Sequence, residues 1–290
     1  MGEAWFMSAE RRIYPELLGD LQAIPVERLQ DTLYEIAVGT HSFGPQKEWQ
    51  SWFRYLLPRL IPRSHETHID ALLDTLITAF FTQHPKGLDE EPYPGFRADA
   101  LLTLGRCLMD HVCWPDGDLD VGMCLNKSYF KPTGLWWWDQ ASEKLSASLF
   151  FCLKYLRPAQ IGPWMDSVLG ISSPYWRAQV MIWLLGAHGV LTGAVKQPSE
   201  FSYDDYPRID WAVSYCLSGE YTGIYDGSGE RAEFIPLANR LAALESVTSY
   251  FSEDVFLEWL ETITQQPSLV AELADAHYSF YSLYGTKNLT

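Results

Sequence analysis

The chain has 290 residues, of which 47% are hydrophobic, and a formal net charge of −16. That much apolar material suffices for a sizeable core and excludes general disorder. A surface this acidic repels nucleic-acid phosphates and anionic lipid, so neither is expected as a partner, and it favours either plain solvation or a basic protein partner.

In chain order, Tyr14 to Leu21 predicts a short helix. Pro25 to Val38 predicts a second, with Val26, Leu29, Leu33, Ile36 and Ala37 on one face and Gly39 closing it. Trp49, Trp52, Phe53, Leu56, Leu57 and Leu60 follow the spacing of an amphipathic helix, with Lys47, Glu48, Arg54 and Arg59 opposite. Ile69, Leu72, Leu73, Leu76, Ile77, Phe80 and Phe81 make the cleanest stripe, and Phe96, Leu101, Leu104, Leu108 and Val112 make the next. Residues 114–138 break the pattern and read as an irregular loop, too long for a simple helix-helix turn.

The most apolar stretch, 144–190, follows. Leu145, Leu149, Cys152, Leu153 and Leu156 line one helix, which Pro158 stops. Pro163 to Leu169 predicts a short helix ended by a left-handed cap at Gly170. Ser173-Pro174 starts a third, apolar on nearly every side and so predicted to be a core helix; Arg177, Gln179 and His188 argue against a membrane span. After irregular stretches at 193–207 and 218–230, with a short helix around Trp211, Tyr215 and Leu217 between them, the helical pattern returns. Leu237, Leu241, Leu244, Val247 and Phe251 form one stripe; Val255, Phe256, Trp259, Leu260 and Ile263 form another. Leu269, Leu273, Phe280 and Tyr284 form the last.

No run alternates with a period of two. The predicted class is all-α: stacked antiparallel helix pairs, as a HEAT-like α-solenoid or an irregular α-α superhelix. The expectation is a single domain over 1–290, with sub-modules at 1–113 and 139–290 joined by the loop 114–138. Arg54 to Pro62 (RYLLPRLIP) echoes Lys154 to Pro163 (KYLRPAQIGP), as a helical repeat would. The start, MGEAWFMSAERR, has no basic segment leading into an apolar run, and Gly2 is not followed by the Ser or Thr of a myristoylation signal, so the expected location is cytoplasmic. Five cysteines (Cys107, Cys113, Cys124, Cys152 and Cys216) at irregular spacing fit reduced, mostly buried thiols there.

The segment WQSWFRYLLPRLIPR, from Trp49 to Arg63, resembles uncharacterised bacterial all-helical proteins in which an aromatic-rich helix ends in a Leu-Pro-Arg-Leu turn. More loosely the chain resembles HEAT-like repeat proteins. The resemblance covers about a fifth of the chain, holds no functional motif, and implies an architecture with a partner-binding face rather than an activity.

Several local patterns resemble chemical sites and fail on spacing. Cys107, His111 and Cys113, with Cys124, offer thiolates and an imidazole, but no standard zinc spacing, and the stripe around them accounts for buried thiols. His65 and His68 are three apart, where zinc proteases need four. Asp116, Asp118 and Asp120 alternate like a calcium loop, but Val121 and Lys127 stand where glycine and glutamate are required. The glycine-rich GIYDGSGE lacks the lysine of a phosphate loop. No metal, cofactor or catalytic set is predicted.

Trp136, Trp137 and Trp138, followed by Asp139, are the oddest feature. On a helix three adjacent tryptophans cannot share one core, so at least one is expected exposed or against a loop. The cluster is a candidate binding surface beside the default of core packing for the chain's twelve tryptophans. Asp204 and Asp205 in FSYDDY join them as candidate binding residues. The leading expectation is a non-catalytic protein-protein interaction protein whose acidic surface binds a basic partner, in its specific form a bacterial immunity-type protein masking a basic toxin. The alternative is a helical hydrolase acting on glycans, with Asp139, Asp204 or Asp205 as acid and base and the tryptophans as a sugar platform. A third reading, a structural subunit, predicts a sizeable exposed apolar patch.

Overall fold

Helices carry the fold, as the periodicity predicts, and the class is all-α. The computed structural model describes residues 4–5, 11–12, 14–41, 46–61, 69, 72–88, 91–105, 125–130, 135–141, 143–201, 207, 209–211, 213–217, 233–273 and 275–285. The chain divides into two units, residues 1–105 with 212–232 and residues 106–211 with 233–290.

In the first unit, a minimal ribbon of β1 (Ala4–Trp5) and β2 (Arg11–Arg12) precedes α1 (Val26–Gly39), α2 (Gln46–Leu60), α3 (Leu73–Gln83) and α4 (Phe96–Leu104). α1 packs on α2 and α3, and α3 packs on α4. The predicted stripes form the core: Leu29, Leu33 and Ile36 of α1, Trp49, Trp52, Phe53 and Leu56 of α2, and Leu76 and Phe80 of α3 are all buried. Gly39, expected as a helix stop, serves mainly as space, because a Cβ there would fall inside the Trp49 indole. The segment expected as a helix from Tyr14 to Leu21 is two 3₁₀ turns, Pro15–Leu18 and Leu21–Ala23. Gly19 is extended between them, and the Asp20 carboxylate caps the second by accepting from the Gln22 N–H at 3.0 Å. Arg59 fastens these turns to α2, donating to the carbonyls of Leu17 and Gly19 at 2.6 Å each.

The second unit holds α5 (Glu143–Tyr155), α6 (Pro158–Leu169), α7 (Pro174–Thr192), α8 (Leu237–Tyr250), α9 (Glu253–Thr264), α10 (Pro267–Leu273) and α11 (Ala276–Phe280). α7 is the hub. It packs against α8, α9, α10 and α11, and it buries Trp176, Val180, Met181, Ile182, Trp183 and Leu184 around its circumference. Pro174 occupies its first turn after Ser173, and Gly193, at φ 82°, closes it in the left-handed region. Gly186 leaves room on its surface for Ile209 and the Pro207 carbonyl.

Five expectations need correction. Pro158 opens α6 at its first position, where a missing N–H costs nothing, and Pro163, expected to start that helix, lies inside it. Gly170 after it is right-handed, at φ −73°. The echo is therefore not a structural repeat: Pro58 is internal to α2, whereas Pro158 begins a helix. Within the stretch expected to be irregular, β3 (Leu125–Phe130) and β4 (Leu135–Ala141) pair antiparallel, with Gln140 as the extra residue of a bulge. The alternation test misses β4 because LWWWDQA has no polar partner between its aromatics, although aromatics favour strands. The short helix expected around Trp211 is a 3₁₀ turn, Ser214–Cys216.

Cys152 and Cys216 are buried free thiols, as expected of reduced cysteines. Among the described residues no helix is long and apolar enough to cross a membrane.

Candidate functional site

The sequence-predicted binding residues divide by position. Trp136, Trp137, Trp138 and Asp139 are consecutive in β4, paired with Tyr129, Ser128, Lys127 and Asn126 of β3, and β4 runs beside α5 and α7. Strand positions alternate between two faces, so positions 136 and 138 share one and 137 and 139 the other. The helical argument for a stranded tryptophan thereby falls away. Asp204 and Asp205 lie outside the described residues, as do Cys107, His111, Cys113, Cys124, His65, His68, Asp116, Asp118 and Asp120. Among the described residues no group of three His, Cys, Asp or Glu could hold a metal ion.

Perturbed ionisable groups are a second route to a site. Burial lowers the imidazoles of His41 and His84 to about 4 and the Lys154 ammonium to about 7. Each belongs to packing. Lys154 donates to the Phe234 carbonyl at 2.6 Å with its charge 4.7 Å from the centre of the Phe234 ring. His84 lies against Phe80, ring centres 4.6 Å apart. His188 has Nδ1 3.1 Å from the Tyr284 hydroxyl.

Buried polar side chains of α8 are helix caps. Asn239 donates from Nδ2 to the carbonyls of Leu153 and Leu156, at 2.7 and 2.8 Å, closing the end of α5. Arg240 donates to the Leu191 carbonyl at 3.3 Å near the end of α7 and to both Glu233 carboxylate oxygens at 3.1 Å. Beside it the Phe234 N–H donates to the Lys196 carbonyl at 3.1 Å, tying the start of the segment 233–290 to the turn that follows α7. Arg177 on α7 ties that helix to α9 through side chains, donating to Thr262 Oγ1 at 2.6 Å and to Glu258 Oε1 at 2.9 Å.

What remains is a groove of about 510 Å³ between α6 and α8. Its α6 bank is Pro158, Ala159, Gly162, Pro163 and Asp166, and its α8 bank is Ala242, Glu245, Ser246, Ser249 and Tyr250. Small residues line both banks, and a Cβ at Gly162 would stand 3.8 Å from the Ser246 hydroxyl, an ordinary contact. Pro163 has no N–H for the i→i+4 bond to the Ala159 carbonyl, which leaves that groove-lining acceptor without its usual helical donor. Tyr250 turns its hydroxyl to the Leu169 carbonyl at 2.9 Å. Asp166 and Glu245 are exposed, one on each bank, and among the described residues no cationic side chain lines the groove. Such a trough, with two carboxylates on its banks, favours a cationic, donor-rich side chain over an anion. Sequence reasoning missed it, because its signal is two rows of residues, many of them small, that lie more than seventy positions apart in the chain.

Comparison of the chain with protein-family models, with curated proteins and with solved structures gives no match.

Proposed function

We propose that this chain is a non-catalytic helical interaction protein that binds a basic protein partner, in its specific form a bacterial, cytoplasmic immunity-type protein masking a basic toxin. The observation that carries the reading is the α6–α8 groove, whose charged lining groups among the described residues are the carboxylates of Asp166 and Glu245. The net charge of −16 adds long-range attraction for the same class of partner. A HEAT-like stacking of helix pairs belongs to the proposal. It is supported by the two-residue links between α5 and α6, α8 and α9, and α9 and α10.

The test is quantitative mass spectrometry of the tagged protein purified gently from its native host. A basic protein should accompany it at near-equal stoichiometry and be lost from the Asp166→Lys, Glu245→Lys double variant. Trp137→Ala with Trp138→Ala tests β4 as the other candidate surface: loss there and retention in the charge-reversed variant moves the site to the tryptophan strand. A chain that elutes alone from its host sinks the reading.

A further inference from the structure

α8 is built the wrong way round for a helix that only serves a core. Its buried face holds Asn239, Arg240, Ala243 and Val247, while Leu237 and Leu241 stand 54% and 51% exposed. The caps on α5 and α7 explain the buried polar pair, whereas the two leucines leave about half of their surface open. They are neighbours at i and i+4, and the same i+4 row continues to Glu245 and Ser249, both lining the groove. The row therefore runs from an apolar half into the acidic trough over twelve residues, about 18 Å of helix.

We propose that this row and the α6–α8 groove form one docking surface for an amphipathic, basic helix of a protein partner; the proposal rests on the basic-partner reading above. Its apolar residues, spaced i and i+4, cover Leu237 and Leu241. Its Lys or Arg side chains, one to two turns further on, enter between Asp166 and Glu245, where the Ala159 carbonyl is a further acceptor. Charge complementarity selects this occupant. A second copy of the chain would bring another Asp166, another Glu245 and a further charge of −16 to the same place.

The experiment uses the full chain and a fluorescent synthetic helical peptide of about four turns. The peptide carries leucines at i and i+4 and arginines at i+7, i+8 and i+11 on an alanine-glutamine background. A scrambled peptide of identical composition is the control. Anisotropy titrations should show the patterned peptide binding at least about tenfold more tightly than the scramble. Leu237→Gln with Leu241→Gln should erase that margin and leave the weaker binding of the scramble intact. Asp166→Asn with Glu245→Gln should weaken both peptides. Helix content and melting of every variant are compared with the parent, and Leu237→Ala with Leu241→Ala provides a milder pair.

Equal binding of pattern and scramble overturns this inference while the basic-partner reading stands. A full margin in the leucine variants overturns it too. Absence of binding to either peptide overturns this inference; absence of a basic partner in the host purification is what sinks the reading beneath it. Sedimentation at physiological salt is the last check: a wild-type dimer made monomeric by the leucine substitutions would make the occupant a second copy and defeat the proposal.

Discussion

Lys154 shows how one buried side chain ties stability to pH. Its ammonium is buried with one carbonyl acceptor, which lowers it from 10.5 to about 7. The unfolded chain thus holds a proton that the folded chain lacks between pH 7 and 10.5. Stability consequently rises with pH through that window, and the cost of burying the charge is fully present below 7. The swing is of the order of 5 kcal/mol for a shift of this size. Lys154→Met, which keeps the length and loses the charge, should flatten urea-unfolding stability between pH 7 and 10; an unchanged slope would assign the titration elsewhere. The residue was legible only as the polar member of an apolar helix. Its acceptor, the Phe234 carbonyl, lies eighty positions away, and no local pattern reports such a partner.

At the scale of elements, apolar spacing was read correctly where one face meets one core. α2 and α3 bury the residues their stripes name, Trp49, Trp52 and Phe53, then Leu76 and Phe80, and α9 buries Phe256, Trp259 and Ile263 while Val255 and Leu260 are only half-buried. α8 is the counterexample. Leu237 and Leu241 were read as core with Val247 and Phe251, yet only Val247 and Phe251 are buried. Spacing alone cannot say which side of a helix the fold will need for capping. Two measurements follow for the same helix. Asn239→Ala strands the Leu153 and Leu156 carbonyls and should cost about 2–3 kcal/mol of unfolding free energy. Leu237→Ala should move it by about 0.5 kcal/mol or less. Denaturant midpoints showing the reverse order would mean that the leucine is covered in solution. β4 failed for a related reason: three tryptophans in sequence carry no period, so neither template could claim them. The candidate groove was illegible altogether, because Gly162 and Ser246 meet across helices separated by residues 170–236.

For the whole molecule, charge was the readable quantity and points to a kinetic consequence. A chain of net charge −16 should capture a basic partner faster than diffusion with random orientation allows. Raising ionic strength from about 0.01 to 1 M shortens the screening length from about 30 to 3 Å. Stopped-flow association should slow by roughly tenfold or more across that range, with dissociation changing much less; a salt-independent rate would remove steering from the account. The bond between the Phe234 N–H and the Lys196 carbonyl has a different bearing, on what happens when the chain is cut. A protease nick anywhere within 218–230 severs α8 to α11 from everything before them in sequence, yet α6 and α7 still grip them and Arg240 still caps α7. The two fragments should co-elute as one particle in native buffer and part only in denaturant, so that separately expressed halves cut there reassemble when mixed.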